Sequence, residues 1–187
     1  MNNNKIKAIA FDLVGVLLKE KDYPLSFQEQ ILEKQFGNIN PDNKFYLWAT
    51  QQLKVSQDQV RQMVQNIIFN IYEIRDIEIC PKILSEFPFI KLAIASNHIS
   101  AIKIWLDKQG LLSYFHSIVI SGEVKVKKPD PKFYKILVRE LGEKPDEILF
   151  IDDNKVNIDA AREFGLLVLH YDKTKDLITE IKRICNS

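Results

Sequence analysis

Asp12, Ser96, Lys128 and the adjacent Asp152 and Asp153 have the side-chain types and the placement in this 187-residue chain to act together. Asp12 lies inside the apolar run Ala8-Ile9-Ala10-Phe11-Asp12-Leu13-Val14-Gly15-Val16-Leu17-Leu18, which reads as a buried strand ending at the acid. Burying a lone carboxylate there is costly unless a metal, a cation or several hydrogen-bond donors meet it. Such partners stand downstream. Ser96-Asn97 closes the run Leu92-Ala93-Ile94-Ala95, Lys128 precedes Pro129-Asp130-Pro131, and Asp152-Asp153 closes Ile148-Leu149-Phe150-Ile151. The order is acid, hydroxyl, lysine, acid pair. Taken singly, each has an ordinary reading: a turn or capping Asp, a solvated lysine loop, the N-cap of a following helix.

The elements that must position these residues follow from periodicity. Residues 5–13 form a first strand, and Gly15 supplies the freedom for a tight turn beyond it. Residues 19–79 change character. Phe27, Ile31, Leu32 and Phe36 fall at helical spacing with Gly37 as a stop, Pro41-Asp42 opens a second helix, and Ser56-Gln57-Asp58-Gln59 has the form of a capping box before the apolar face Val60, Met63, Val64, Ile67, Ile68 and Ile71. From there strands and helices alternate. A short helix at 81–87 leads to a strand at 91–96, a helix at 99–108, a strand at 115–121, a loop at 122–130 and a helix at 133–141. A strand at 147–152, a helix at 154–164, a strand at 166–171 and a helix at 175–184 complete the chain. This alternation indicates an α/β fold with a parallel sheet covered on both faces. Sites in such sheets form beyond the carboxyl ends of the strands, where all four candidate positions fall.

In these residues and their order the chain resembles the haloacid dehalogenase superfamily, from Ile6 to about Tyr171. The resemblance implies a Rossmann-like core of residues 1–18 and 80–187, with a small α-helical cap, residues 19–79, inserted after the first strand. It implies a phosphatase acting on a small phosphorylated metabolite through an aspartyl-phosphate on Asp12, with Mg²⁺ as cofactor. Asp12 matches the nucleophile, Ser96 and Lys128 the residues that hold the transferring phosphate, and Asn97 is a further substrate-side candidate. The implied Mg²⁺ ligands are Asp12, the backbone carbonyl of Val14 and the acids Asp152 and Asp153, with Asp153 the direct ligand and Asp152 acting through water. One position departs from the commonest pattern. Many family phosphatases carry a second Asp, which serves as general acid and base, two residues after the nucleophile, and here that residue is Val14. An impaired metal- or phosphate-binding relative is therefore the alternative. Haloacid dehalogenation fits less well, because those enzymes work without Mg²⁺ and lack the acidic pair.

Composition narrows the remaining classes. Charges nearly cancel, 26 Lys and Arg against 25 Asp and Glu, which gives no electrostatic case for a nucleic acid or an anionic membrane. The N-terminal residues do not form a signal segment and no long apolar run occurs, so a cytoplasmic protein is expected. Cys80 and Cys185 lack metal-ligand spacing and read as packing residues. His98, His116 and His170 share no spacing and receive no role. The aromatics Phe45, Tyr46, Trp48, Phe69 and Tyr72 stand at helical spacing, which favours core positions over substrate contacts. A receiver domain of two-component signalling also joins acids, a hydroxyl and a lysine, but in the reverse order.

Overall fold

The computed structural model describes residues 6–186; residue 5, the start of the expected first strand, lies outside them. Strand β1 (Ala8–Phe11) is buried throughout and Asp12 follows it directly. A tight loop then leads to β2 (Leu18–Glu20). Helices α1 (Phe27–Glu33), α2 (Asp42–Leu53) and α3 (Gln57–Ile71) come next, before β3 (Tyr72–Ile74). The expected capping box is present, Ser56 N–H donating to Gln59 and Gln59 N–H to Ser56 Oγ, and a second one joins Ser26 and Glu29. Helix α3 buries Val60, Val64, Ile67, Ile68 and Ile71, as its periodicity requires. Phe45 and Tyr72 are buried, and Tyr46, Trp48 and Phe69 rest half-buried on the same apolar cluster.

The segment expected to be mostly helical is bounded by a two-stranded antiparallel ribbon. Leu18, Lys19 and Glu20 pair with Ile74, Glu73 and Tyr72, and Lys19 Nζ lies 2.7 Å from Glu73. Three residues per strand are too few for an alternation to be read. The three helices thus leave and rejoin the chain through neighbouring strands. They also meet the elements after β3 through polar contacts. The Asp42 carboxylate accepts bonds from Ser100 N–H, at 3.0 Å, and from Ser100 Oγ, and Lys127 Nζ lies 3.2 Å from Asn38 Oδ1.

The remaining elements are α4 (Ile79–Glu86), β4 (Lys91–Ser96), α5 (Ile102–Lys108), β5 (Ser117–Ile120), α6 (Ser121–Val124), α7 (Pro131–Leu141), β6 (Ile148–Asp152), α8 (Lys155–Phe164), β7 (Leu167–His170) and α9 (Leu177–Cys185). Helix α4 starts two residues before Pro81, so the proline sits in the first turn, where its missing N–H removes no intrahelical bond. Helix α5 starts three residues later than the pattern suggested. The α6 turn replaces part of the expected loop. It brings Gly122 so close to the Asp42 carboxylate and the His98 carbonyl that a Cβ has no room. Among the described residues no helix is long and apolar enough to cross a membrane. Both cysteines are buried and free, and burial pushes the thiols of Cys80 and Cys185 up to about 12 and about 11.

The five long strands form one parallel sheet in the order β5-β4-β1-β6-β7. Alternate residues feed two cores. Ile9, Phe11, Leu92, Ile94, Leu149 and Ile151 line one face; on the other, Ala8, Ala10, Ala93 and Ala95 leave space that Phe133 and Tyr134 of α7 fill. The chain turns from β1 toward β4 and from β6 toward β7. The sheet order therefore diverges between β1 and β6, and the crevice at their carboxyl ends is where an α/β sheet offers a site.

Candidate active site

That crevice gathers four of the five candidates, three of them in direct contact. Lys128 Nζ lies 2.9 Å from Asp12 Oδ1 and 2.7 Å from Asp152 Oδ2, with its side chain 1% exposed. Burial opposes the charge on this amine, but the two carboxylates outweigh it and hold its pKa above the ordinary lysine value. The other lysines of the loop differ: Lys125 is exposed and Lys127 half-buried. Asp12 Oδ1 also accepts the N–H of Leu13 at 2.7 Å. Burial raises the Asp12 carboxyl to about 6 although Lys128 pulls it down.

Asp152 and Asp153, adjacent in sequence, occupy different environments. Asp152 is fully buried and accepts from Lys128 Nζ, from Asn157 Nδ2 at 3.0 and 3.2 Å, and from Asn154 N–H at 2.7 Å. These donors stabilise its charge without a metal. Asp153 is partly exposed and pairs with Lys173 Nζ at 2.8 Å. Its carboxylate lies against the Cα of Gly15, whose φ is +98°. A side chain at residue 15 would fill the space that this carboxylate occupies. Single oxygens of Asp12, Asp152 and Asp153 come within 4.8 Å of one another. Three hard oxygen donors at that separation suit Mg²⁺, which takes carboxylates and retains water.

Ser96 ends β4, two residues past the Phe11–Ile94 pair, and is 2% exposed. Asn97 has a definite partner in the lysine loop. Its Oδ1 accepts the Lys128 N–H at 2.8 Å and its Nδ2 donates to the Lys128 carbonyl at 2.9 Å. The Asn97 side chain thus holds the Lys128 backbone. Val14 is half-buried and bridges to Leu18 in the tight loop after Asp12. Its side chain has no proton to exchange.

Sequence reasoning missed several neighbours of the site. His170 Nε2 lies 3.1 Å from the Asp153 carbonyl, and Lys173 pairs with the Asp153 carboxylate. The end of β7 and the loop after it therefore clamp Asp153, and neither residue belongs to a spacing pattern. His98 is buried, with Nε2 3.1 Å from Tyr72 Oη and Nδ1 3.0 Å from the Ile99 carbonyl. Burial drops its pKa to about 4, so the ring is neutral.

This fold is that of a known class. The chain belongs to the haloacid dehalogenase-like hydrolase family, whose profile matches residues 6–165. It is 28% identical over 175 residues to a phosphoglycolate phosphatase of Aquifex aeolicus (strain VF5), which covers 86% of this chain and 82% of that protein. A predicted HAD-like family hydrolase from Porphyromonas gingivalis superposes with a TM-score of 0.75 at 20% identity, covering 98% of this chain and 99% of that one. A HAD family enzyme from Bacteroides thetaiotaomicron, crystallised with magnesium and inorganic phosphate, superposes with a TM-score of 0.72 at 21% identity, covering 94% and 98%. At these identities the two structures establish the fold.

Proposed function

We propose that the protein is a Mg²⁺-dependent phosphatase acting on a small phosphomonoester, with Asp12 as nucleophile. The observation that carries this reading is the buried Lys128 ammonium held between Asp12 and Asp152, with Asp153 completing the carboxylate triplet. Lys128 and Leu13 N–H engage Asp12 Oδ1, which leaves Oδ2 to attack phosphorus. The Asp12–phosphorus bond forms as the ester P–O bond breaks, and the alkoxide departs with a proton from solvent or substrate. Water then attacks phosphorus, releases phosphate and restores the Asp12 carboxylate. Ser96 donates its hydroxyl to the transferring phosphoryl group, and Lys128 balances the charge on the nucleophile and on that group. Asn97 keeps Lys128 in place through the loop backbone. Asp12, Asp153 and the Val14 carbonyl would hold Mg²⁺, with Asp152 supporting the site. The bound ion supplies positive charge to the phosphoryl oxygens. Residues 19–79 form the cap that selects the substrate, and residues 1–18 and 80–187 form the core.

Val14 sets the expected substrate preference. A general acid contributes roughly 10²–10⁴ in rate, and none stands at residue 14. Aryl phosphates, whose leaving groups need little protonation, should be cleaved much faster than alkyl or sugar phosphates, and Val14→Asp should speed the alkyl substrates more. The test is turnover of both classes by both proteins, with and without Mg²⁺. Brisk sugar-phosphate turnover by the native protein, unimproved by Val14→Asp, would place the acid on another residue or on ordered water. Absence of turnover in both proteins, with Mg²⁺ still bound, would favour the impaired relative.

A further inference from the structure

A second cavity lies beside the metal-side carboxylate. Its volume is about 210 Å³, and Val16, Leu17, Ile79 and Leu177 form its apolar walls. Sites for drug-sized ligands run from about 300 to 1,000 Å³, so any occupant here is small. Three cationic residues, Arg75, Lys173 and Lys175, line it. The Nε of Arg75 is buried and, among the described residues, has no hydrogen-bond partner. An unpaired buried donor on a charged group is costly, and an acceptor bound in the cavity would remove that cost once the Arg75 side chain turned its Nε toward it.

The two acids on the lining are already engaged. Asp76 accepts from Glu78 N–H at 2.9 Å and lies 3.5 Å from Lys82 Nζ. Asp176 caps α9 by accepting from Thr179 N–H at 2.8 Å and Thr179 Oγ1 at 2.6 Å, and these bonds together with Lys82 and Lys182 hold its carboxyl below the usual range. Helices α4 and α9 both begin at the cavity wall, with Ile79 and Leu177, and a helix N-terminus carries partial positive charge.

We propose that this cavity binds a small oxyanion, a phosphate or a carboxylate, through Arg75 and Lys175, with Lys173 shared between it and Asp153. The proposal stands apart from the reading of Asp12 as a nucleophile. It gives the chain a second anion site touching the metal site through one side chain, so an anion bound there draws on the same cation that balances Asp153.

Titration of the ¹⁵N-labelled native protein with sodium phosphate and with sodium malonate, without Mg²⁺, resolves the two sites. Saturable movement of the Ile79, Lys175 and Leu177 amides and of the Arg75 Nε–H is expected. Movement with phosphate alone assigns the cavity to phosphoryl groups and with malonate alone to carboxylates, and either result supports a site. Arg75→Gln should weaken the anion affinity at these resonances at least about tenfold, the equivalent of one hydrogen bond to a charged group. Lys175→Gln, a change at an exposed residue, should weaken it in the same direction. Phosphate shifts at Ser96 and Asn97 should persist in both variants. Shifts confined to Ser96, Asn97 and Asp153, or shifts at the cavity that never saturate, would overturn the proposal.

Discussion

Gly15→Ala tests whether the Asp153 carboxylate is positioned by backbone geometry. A Cβ on residue 15 would fall 2.6 Å from Asp153 Cγ and 2.8 Å from Oδ1, and nearer still to Oδ2. The backbone φ of +98° adds strain for any side chain, of the order of 1–3 kcal/mol. Gly110 separates these two effects, since its φ is +71° and a Cβ there meets nothing within 4 Å. Gly110→Ala should therefore lose roughly 1 kcal/mol of stability and keep its Mg²⁺ affinity. Gly15→Ala should lose at least as much stability and, because Asp153 must move, about 10–100-fold in Mg²⁺ affinity, the usual effect of disturbing a ligand's support. Urea unfolding and Mg²⁺ calorimetry on the two variants make the comparison. Native Mg²⁺ affinity in Gly15→Ala would show that Asp153 is not held against Gly15 when it binds metal, and the assignment of Asp153 as direct ligand would lose its geometric basis.

Asp152→Asn breaks a buried ion pair and should cost roughly 3–5 kcal/mol in urea unfolding, whereas Asp153→Asn should cost under about 1 kcal/mol and lose most Mg²⁺ affinity; the opposite ranking would exchange their roles. Lys173→Gln removes a unit charge beside Asp153 on a half-exposed side chain, so Mg²⁺ affinity should rise about threefold, and a fall would mean that Lys173 orients the ligand more than it competes with the ion. His98 provides the pH test. Its folded pKa of about 4 lies below the ordinary histidine value of 6.5, so between those values the unfolded chain binds more protons and stability falls as pH drops, by about 3 kcal/mol in full. His98→Gln should lack this component when unfolding is compared at pH 7 and pH 4.5. The opposite trend from Asp12, whose raised carboxyl favours the folded state as pH falls through about 6, is common to both proteins and cancels in the difference. Identical pH slopes would refute it.

The parts of this molecule legible in the sequence are those in which one chemical type must repeat. Strands β1, β4 and β6 are buried on both faces, so they appear as unbroken apolar runs, and the polar residue ending each run stands out. The long helices are legible for the same reason, through their periodic faces and caps. The β2–β3 ribbon was not, because three-residue strands leave no period, and its pairing joins residues more than fifty positions apart. Asn97, which bonds twice to Lys128, and His170 and Lys173, which each meet Asp153 once, act through contacts between segments distant in sequence, which depend on the finished fold. Lys128 shows where the two kinds of information meet. The sequence offers three lysines in one loop, and only the resemblance to a known motif selects among them. Once folded, physical chemistry separates them: an ammonium that is 1% exposed persists only beside compensating carboxylates, and of the three only Lys128 is buried, with Asp12 and Asp152 both in contact. Burial and charge balance thus set Lys128 apart from its two neighbours, by observations that make no use of the motif.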